Sequence, residues 1–201
     1  MLKLNIAVGI LAFAVYPLSI QASILIRVVD GDSVIARIKG KQTNIRLACI
    51  DAPEIGQPPY GRMAMNTLSG LLPRYSQITI QPIEFDRYNR LVANIFTPGG
   101  INLGEELIRM GLVFVNKMNL SYCDGPKLLL IESQARQARI GVWKDSPQGI
   151  MRPWLFRRGA KLLSCNQVNS WEEAQELLRD GHTYLDLDDS GEACKSRSAI
   201  H

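Results

Sequence analysis

Five charged residues are of the types that phosphodiester hydrolysis needs: Asp32, Asp51 and Glu54, with Arg46 and Arg90. Two carboxylates are hard oxygen donors that can hold an oxygen-loving cation, and a third can activate water. Two guanidiniums can grip phosphate oxygens while negative charge builds on them. The apolar run Ile45-Arg46-Leu47-Ala48-Cys49-Ile50-Asp51 has no structural need for an arginine and an aspartate. Taken alone, Arg46 and Asp51 read equally well as an internal ion pair. The whole set of five turns the reading toward metal-assisted chemistry.

The elements that must position these residues are short. From Ser23 to about Ile95 the chain reads mainly as strands: Ile24 to Val29, Ser33 to Ile38 and Thr43 to Ile50, broken at Asp30-Gly31-Asp32 and Lys39-Gly40-Lys41. Met63, Ala64, Thr67, Leu68, Leu71 and Leu72 recur at helical spacing, predicting a helix from Tyr60 to Leu72 that stops before Pro73. Two further strands fit Ile78 to Phe85 and Leu91 to Phe96, followed by helices near Asn102–Met110 and Lys127–Ile140. This order predicts an α+β domain built on a small barrel.

Composition bounds the whole chain. Its 201 residues, 46% hydrophobic and 21% charged, exclude wholesale disorder and a polytopic membrane protein. The net charge of +4 conceals a division. Residues 23–158 hold 18 basic and 11 acidic side chains, whereas residues 159–201 hold 4 basic and 8 acidic. A basic body carries an acidic tail. Residues 1–22 read as a secretory signal, with Lys3 before the apolar stretch Leu4 to Tyr16 and Ala22 at the cleavage point; the apolar run is shorter than the roughly 20 residues of a spanning anchor. The expected product is a secreted or periplasmic protein, monomeric, with no stable membrane association after cleavage. Four cysteines in an oxidising compartment favour disulfides. Cys165 and Cys194 flank the acidic tail and would close it into a loop, while Cys49 and Cys123 are either paired or free and buried.

Read in order, Val28-Val29-Asp30-Gly31-Asp32-Ser33, Ile45-Arg46-Leu47, Asp51-Ala52-Pro53-Glu54, Tyr60-Gly61, Asp86-Arg87-Tyr88-Asn89-Arg90 and Gly141-Val142-Trp143 resemble the staphylococcal-nuclease-like (thermonuclease) family over about residues 23–158. The resemblance implies a five-stranded OB-type β-barrel with three helices and Ca²⁺-dependent cleavage of DNA and RNA with low sequence specificity. By position, it implies that Asp32, Asp51 and the main-chain carbonyl of Ala52 ligate Ca²⁺ and that Glu54 is general base or water positioner. It likewise gives Arg46 and Arg90 the task of stabilising the transition state, where a planar fork suits phosphate better than an ammonium. Tyr88 matches a nucleotide-contacting tyrosine, and Arg87 and Lys117 are expected on the nucleic acid with it. Lys117 and Asn119 stand where relatives have tyrosines, and Asn89 stands where many have glycine. The alternative is a non-catalytic nucleic-acid-binding barrel, yet no member of the charged set is replaced.

Trp143 and Glu132 read as structural. Pro153-Trp154-Leu155-Phe156-Arg157-Arg158 resembles the P-W-x-x-R-R end of many bacterial relatives, read either as a nucleic-acid contact or as a docked extension with two solvated arginines. In the tail, Ser170-Trp171-Glu172-Glu173 is a capping box opening a short helix. Asp186, Asp188 and Ser190, with Gly191 and Glu192 following, repeat the first half of a calcium loop, but Arg197 stands where an EF-hand needs glutamate. The tail resembles the excalibur module, a small extracellular calcium-binding domain, over about residues 164–197, with Lys195 where that module usually has glutamate. A disulfide-closed acidic hairpin without metal is the competing account, and so small a module needs the disulfide, the metal or both.

Overall fold

The computed structural model describes residues 21–146, 148–188 and 190–195. The expected signal, residues 1–22, therefore lies outside the described residues except for its last two, which begin the first strand. Among the described residues no helix is long and apolar enough to cross a membrane.

Five strands close a barrel: β1 (Gln21–Val28), β2 (Ser33–Ile38), β3 (Lys41–Leu47), β5 (Gln77–Phe85) and β6 (Leu91–Phe96), in the order β1-β2-β3-β6-β5. All pairings are antiparallel except β3 with β6, where Ile45 faces Leu91 and Arg46 faces Val92. The expected OB-type barrel is the one observed. Alternation drives it: Leu91, Ala93 and Ile95 of β6 point inward to meet Leu25, Val34, Ile45 and Ile80, all buried. Each such leucine or isoleucine contributes about 1.5–3 kcal/mol on burial.

The expected strand Thr43 to Ile50 is broken. β3 ends at Leu47, Cys49 takes a left-handed conformation at φ 62°, and a two-residue strand β4 (Ile50–Asp51) follows, pairing with β7 (Phe114–Val115). A periodicity argument cannot see such a corner, because the residues on both sides of it are equally apolar. Cys49 is bonded to Cys123, which settles the pairing that the spacing left open. In the chain-entropy account, closing a loop over a sequence separation of 74 stabilises the fold by about 4–5 kcal/mol.

Three helices pack around the barrel. α1 (Tyr60–Leu71) buries Gly61, Ala64 and Leu68 and ends before Pro73 as expected. α2 (Leu103–Arg109) is capped by Asn102, whose side chain accepts from the amides of Gly104 and Glu105. α3 (Gly125–Gln137) starts two residues earlier than expected because Asp124 caps it and Pro126 fits its first turn; it stops short of Ile140 because Arg139 turns left-handed at φ 54°. Trp143 is fully buried, edge-on to Phe114 at 5.1 Å, and Glu132 accepts from the amide of Val115 at 2.8 Å, so both are structural as read.

Beyond the barrel, α4 (Pro153–Arg157) and α5 (Trp171–Arg179) belong to a second, smaller cluster in which Leu155, Val168, Ala174, Tyr184 and Leu185 are buried together. Cys165 and Cys194 are bonded, as expected. Of the expected capping box at α5, the Ser170 half is present: Ser170 accepts from the amide of Glu173, but the Glu173 carboxylate accepts from the amide of Asn169, one residue before the cap, rather than from Ser170 itself. α4 thus has one foot in the tail. Leu155 lies in its core, the indole of Trp154 donates to the carbonyl of Gly181 at 2.7 Å, and Arg152 is wedged among Phe114, Trp143 and Tyr184.

Candidate active site

At one end of the barrel a cleft of about 530 Å³ is lined by Asp30, Asp32, Arg46, Ala52, Pro53, Glu54, Arg87, Tyr88, Arg90 and Arg157. Five separate stretches of chain deliver these residues, and each is held by identifiable local chemistry.

Asp32 enters from the β1–β2 turn. Its own amide donates to the Asp30 carboxylate at 3.1 Å, and its main-chain carbonyl accepts from Leu47 at 2.8 Å. Gly31 is required here because a Cβ would stand 2.6 Å from Cβ of Ala52 and 2.7 Å from Cβ of Ala64. The close approach lets the amide of Ala52 donate to Asp32 Oδ2 at 2.8 Å. Arg46, on β3, spans both aspartates: Nη1 reaches Asp32 at 3.2 Å and Nη2 reaches Asp51 at 2.7 Å. The expected internal ion pair is therefore present, but as part of the larger set rather than in place of it.

Glu54 sits on a loop fastened at two points that the sequence reading did not single out. Its amide donates to Gln57 Oε1 at 3.0 Å, and the other end of that amide side chain donates to the carbonyl of Met151 at 2.8 Å. Helix α1 presses against the same loop, and at Gly61 a Cβ would lie 2.0 Å from the Glu54 carbonyl oxygen. Only glycine permits that contact.

Arg90 arrives from a tight turn before β6. Asp86 Oδ1 accepts from the amides of Tyr88 and Arg90, both at 2.9 Å, and Asp86 Oδ2 pairs with the Arg90 guanidinium at 2.7 Å. Burial would raise the Asp86 carboxyl, but hydrogen bonds from Arg90 and Tyr88 outweigh it and hold the group below its usual range. Asn89 takes the left-handed φ of 59° that its place in the turn demands. Tyr88 is 65% exposed, with the guanidinium of Arg87 4.9 Å from its ring centre. Lys117 opens a 3₁₀ turn (Lys117–Tyr122) and does not line the cleft.

Arg157 is the residue sequence reasoning misplaced. Read as one of two solvated arginines or as a nucleic-acid contact, it instead reaches across from α4 to pair with Asp51 Oδ2 at 2.7 Å and with Glu54. Partial burial works against its charge but is outweighed by the hydrogen bonds and attraction of Asp51 and Glu54, which raise its pKa further. Its neighbour Arg158 does stay at the surface, paired with Asp180 at 3.1 Å.

The cleft lining sets Asp30, Asp32 and Glu54 against Arg46, Arg87, Arg90 and Arg157. Burial pushes the Asp32 carboxyl up to about 7; Arg46 pulls it down, and the nearby Asp51 and Asp30 push it up. Among the described residues no three His, Cys, Asp or Glu side chains converge as a metal-ligating group, and Asp32, Asp51 and Glu54 are each paired with an arginine. The donor set is nonetheless one that suits a hard cation: carboxylate and main-chain oxygens, without thiolate or imidazole.

In the tail, the expected ligands have protein partners. Asp186 accepts from the amides of Ser190 and Gly191, both at 3.0 Å; Asp188 pairs with Lys195 at 3.3 Å; Glu192 accepts from the indole of Trp171 at 3.1 Å. Asp188 is held down to about 2, by the Ser190 hydrogen bond first and by Lys195.

A closed OB-type barrel with carboxylates and arginines gathered at one end defines a class of phosphate-directed proteins. The family model described as "Staphylococcal nuclease homologue" matches residues 44–145, and the chain belongs to that family. It is 32% identical over 133 residues to an "Uncharacterized endonuclease" of Escherichia coli O157:H7, covering 66% of this chain and 82% of that protein. It is 29% identical over 145 residues to a "Micrococcal nuclease" of Shigella flexneri, covering 68% and 80%. A "Thermonuclease" of Staphylococcus hyicus is 29% identical over 127 residues, covering 60% and 75%.

Proposed function

We propose that the protein is an exported, calcium-dependent nuclease that hydrolyses phosphodiester bonds of DNA and RNA with low sequence specificity. The observation that carries this reading is the convergence of Asp32, Glu54, Arg46 and Arg90 on one cleft of the barrel. Family membership and the nuclease names of its relatives support it.

In this reading Asp32, Asp51 and the carbonyl of Ala52 hold Ca²⁺, which when bound supplies Lewis-acid stabilisation of a phosphoryl oxygen. Glu54 takes a proton from water as that oxygen bonds to phosphorus and the ester oxygen leaves with the bonding pair. Arg46 and Arg90 donate to the phosphoryl oxygens, on which charge increases in the transition state. Tyr88 and Arg87 offer a ring face and a cation to the strand, and Lys117 adds a more distant contact. Stacking and backbone contacts carry little base information, in keeping with low specificity.

The chain is organised in this reading as a signal over 1–22, the nuclease unit over 23–158 and an excalibur-like tail over 159–201. The protein acts as a monomer outside the cytoplasm, secreted or in a periplasm. The loop of Asp186, Asp188, Ser190 and Glu192 takes a second Ca²⁺, a reading that rests on their alternate spacing.

Gels cast with DNA or RNA and developed with Ca²⁺ or with chelator test the activity. Clearing with Ca²⁺ and none with chelator is expected. No clearing in either gel, with retention of labelled oligonucleotide on the protein, would establish the non-catalytic binding barrel instead.

A further inference from the structure

Asp51 is more fully engaged than a waiting ligand should be. Its side chain is 2% exposed, Oδ1 accepts from Arg46 at 2.7 Å and Arg157 at 3.3 Å, and Oδ2 accepts from Arg157 at 2.7 Å. Glu54 is bonded to the same guanidinium. One side chain, from a helix 103 to 106 residues away in sequence, therefore covers the two carboxylates that hydrolysis needs uncovered.

An ion pair that merely docks the C-terminal extension is a poor account of this arrangement. The Arg157 side chain is 45% exposed although Asp51 is buried, so solvent screens the arginine's side of the pair. Docking of the extension onto the barrel domain is already secured by Arg152 packed over Phe114 and Trp143, by Trp154 edge-on to Phe114 at 6.4 Å and by the Gln57 bond to the Met151 carbonyl. The backbone of α4 is thus fixed while the long side chain at its end has room to reorient.

We propose that Arg157 is a third phosphate-gripping arginine of the cleft, parked on Asp51 and Glu54 in the free protein and handed to the substrate phosphate when those carboxylates are engaged. This rests on the reading of Asp51 as a Ca²⁺ ligand and Glu54 as the base. Asp51 exchanges one guanidinium for the cation, Glu54 regains the lone pairs that accept the water proton, and Arg157 finds the phosphate, the anion entering the cleft it already lines. A guanidinium left on Glu54 would occupy the oxygen that must accept the water proton, so the transfer also ties the uncovering of Glu54 to substrate arrival. Because the tail grips α4, it sets where that arginine can reach.

The test uses the full mature chain. Calcium titrated by calorimetry into wild type, Asp51→Asn, Arg157→Gln and Arg158→Gln is read beside kcat and KM on DNA. Arg157→Gln is expected to tighten the Asp51-dependent calcium site about 5–10-fold, since a competing cation is gone, while kcat/KM falls about 100-fold or more. Arg158→Gln should change neither. Unchanged or weaker calcium binding in Arg157→Gln, or kcat/KM within threefold of wild type, overturns the proposal. If wild type shows no calcium binding that Asp51→Asn abolishes, the metal reading itself fails, a distinct outcome. Should Arg157→Gln not fold, Arg157→Lys serves, since it keeps the charge and loses the fork. Near-wild-type calcium affinity with kcat/KM down at least about tenfold supports the proposal, and an undiminished kcat/KM overturns it.

Discussion

The side-chain amide of Gln57 donates to the main-chain carbonyl of Met151 at 2.8 Å, joining the loop that carries Glu54 to the segment that leads into α4. The same amide accepts from the Glu54 backbone, so one uncharged side chain registers Glu54 against the extension that supplies Arg157. Gln57→Ala leaves both partners unsatisfied and should cost about 1–3 kcal/mol in urea unfolding. A loosened Glu54 should lower kcat about tenfold or more with KM little changed, measured on DNA. Wild-type kcat in this variant would show that the loop holds its position without the strap.

Arg90 is supported entirely by its own turn, so its removal should spare the barrel. Arg90→Ala should lower kcat about 10²–10³-fold or more while circular dichroism and Tm stay near wild type. Arg46→Lys should be nearly as damaging, because an ammonium cannot span Asp32 and Asp51 as the fork of Arg46 does. Retained activity in either variant would remove that arginine from the chemistry.

Gly61→Ala places a methyl group 2.0 Å from the Glu54 carbonyl oxygen, a backbone atom that cannot give way without moving Glu54. Overpacking of this kind costs about 1–3 kcal/mol or more. Denaturant unfolding should register that loss together with reduced kcat. Full stability with full activity would mean that α1 slides freely along the loop.

The tail has its own pH dependence. Burial pushes the His182 imidazole below its ordinary value, with Asp180 pulling it up and Arg158 pushing it down, and its Nδ1 lies 2.7 Å from the Tyr184 hydroxyl. A histidine kept neutral by folding is protonated first in the unfolded chain. Its contribution is therefore complete above the unfolded value of about 6.5 and is lost as pH falls from there toward the lower folded value. Tm of wild type should drop more between pH 7.5 and pH 5.5 than Tm of His182→Gln, as scanned by calorimetry in buffers of about those values. Equal drops would assign the dependence to other groups.

Much of this was legible in the order of residues because it depends on local signals. The strands of the barrel follow from alternation, α1 from apolar spacing and Pro73, and the Arg90 turn from Asp86 and Asn89 standing within four positions. The corner at Cys49 was not legible, since an apolar run does not announce where it bends. Cys49 pairs with Cys123 only because β4 and β7 bring distant stretches together. Gln57 and Arg157 were missed for the same reason: each has a partner 94 or more residues away, and nothing beside them in the chain distinguishes a clamp from a surface polar group. In Arg157 the types and neighbours were noticed, but its destination was set by tail packing that no local pattern encodes.

The parallel pairing of β3 with β6 has a consequence for how this cleft can vary. Arg46 lies within β3 and Arg90 stands at the threshold of β6, where Leu91 meets Ile45. Neighbouring strands lie about 4.8 Å apart whatever their side chains. The span between these two arginines is thus ruled by the weave of the barrel, like marks on a fixed gauge. Turns around the rim can lengthen without altering the width of that gauge.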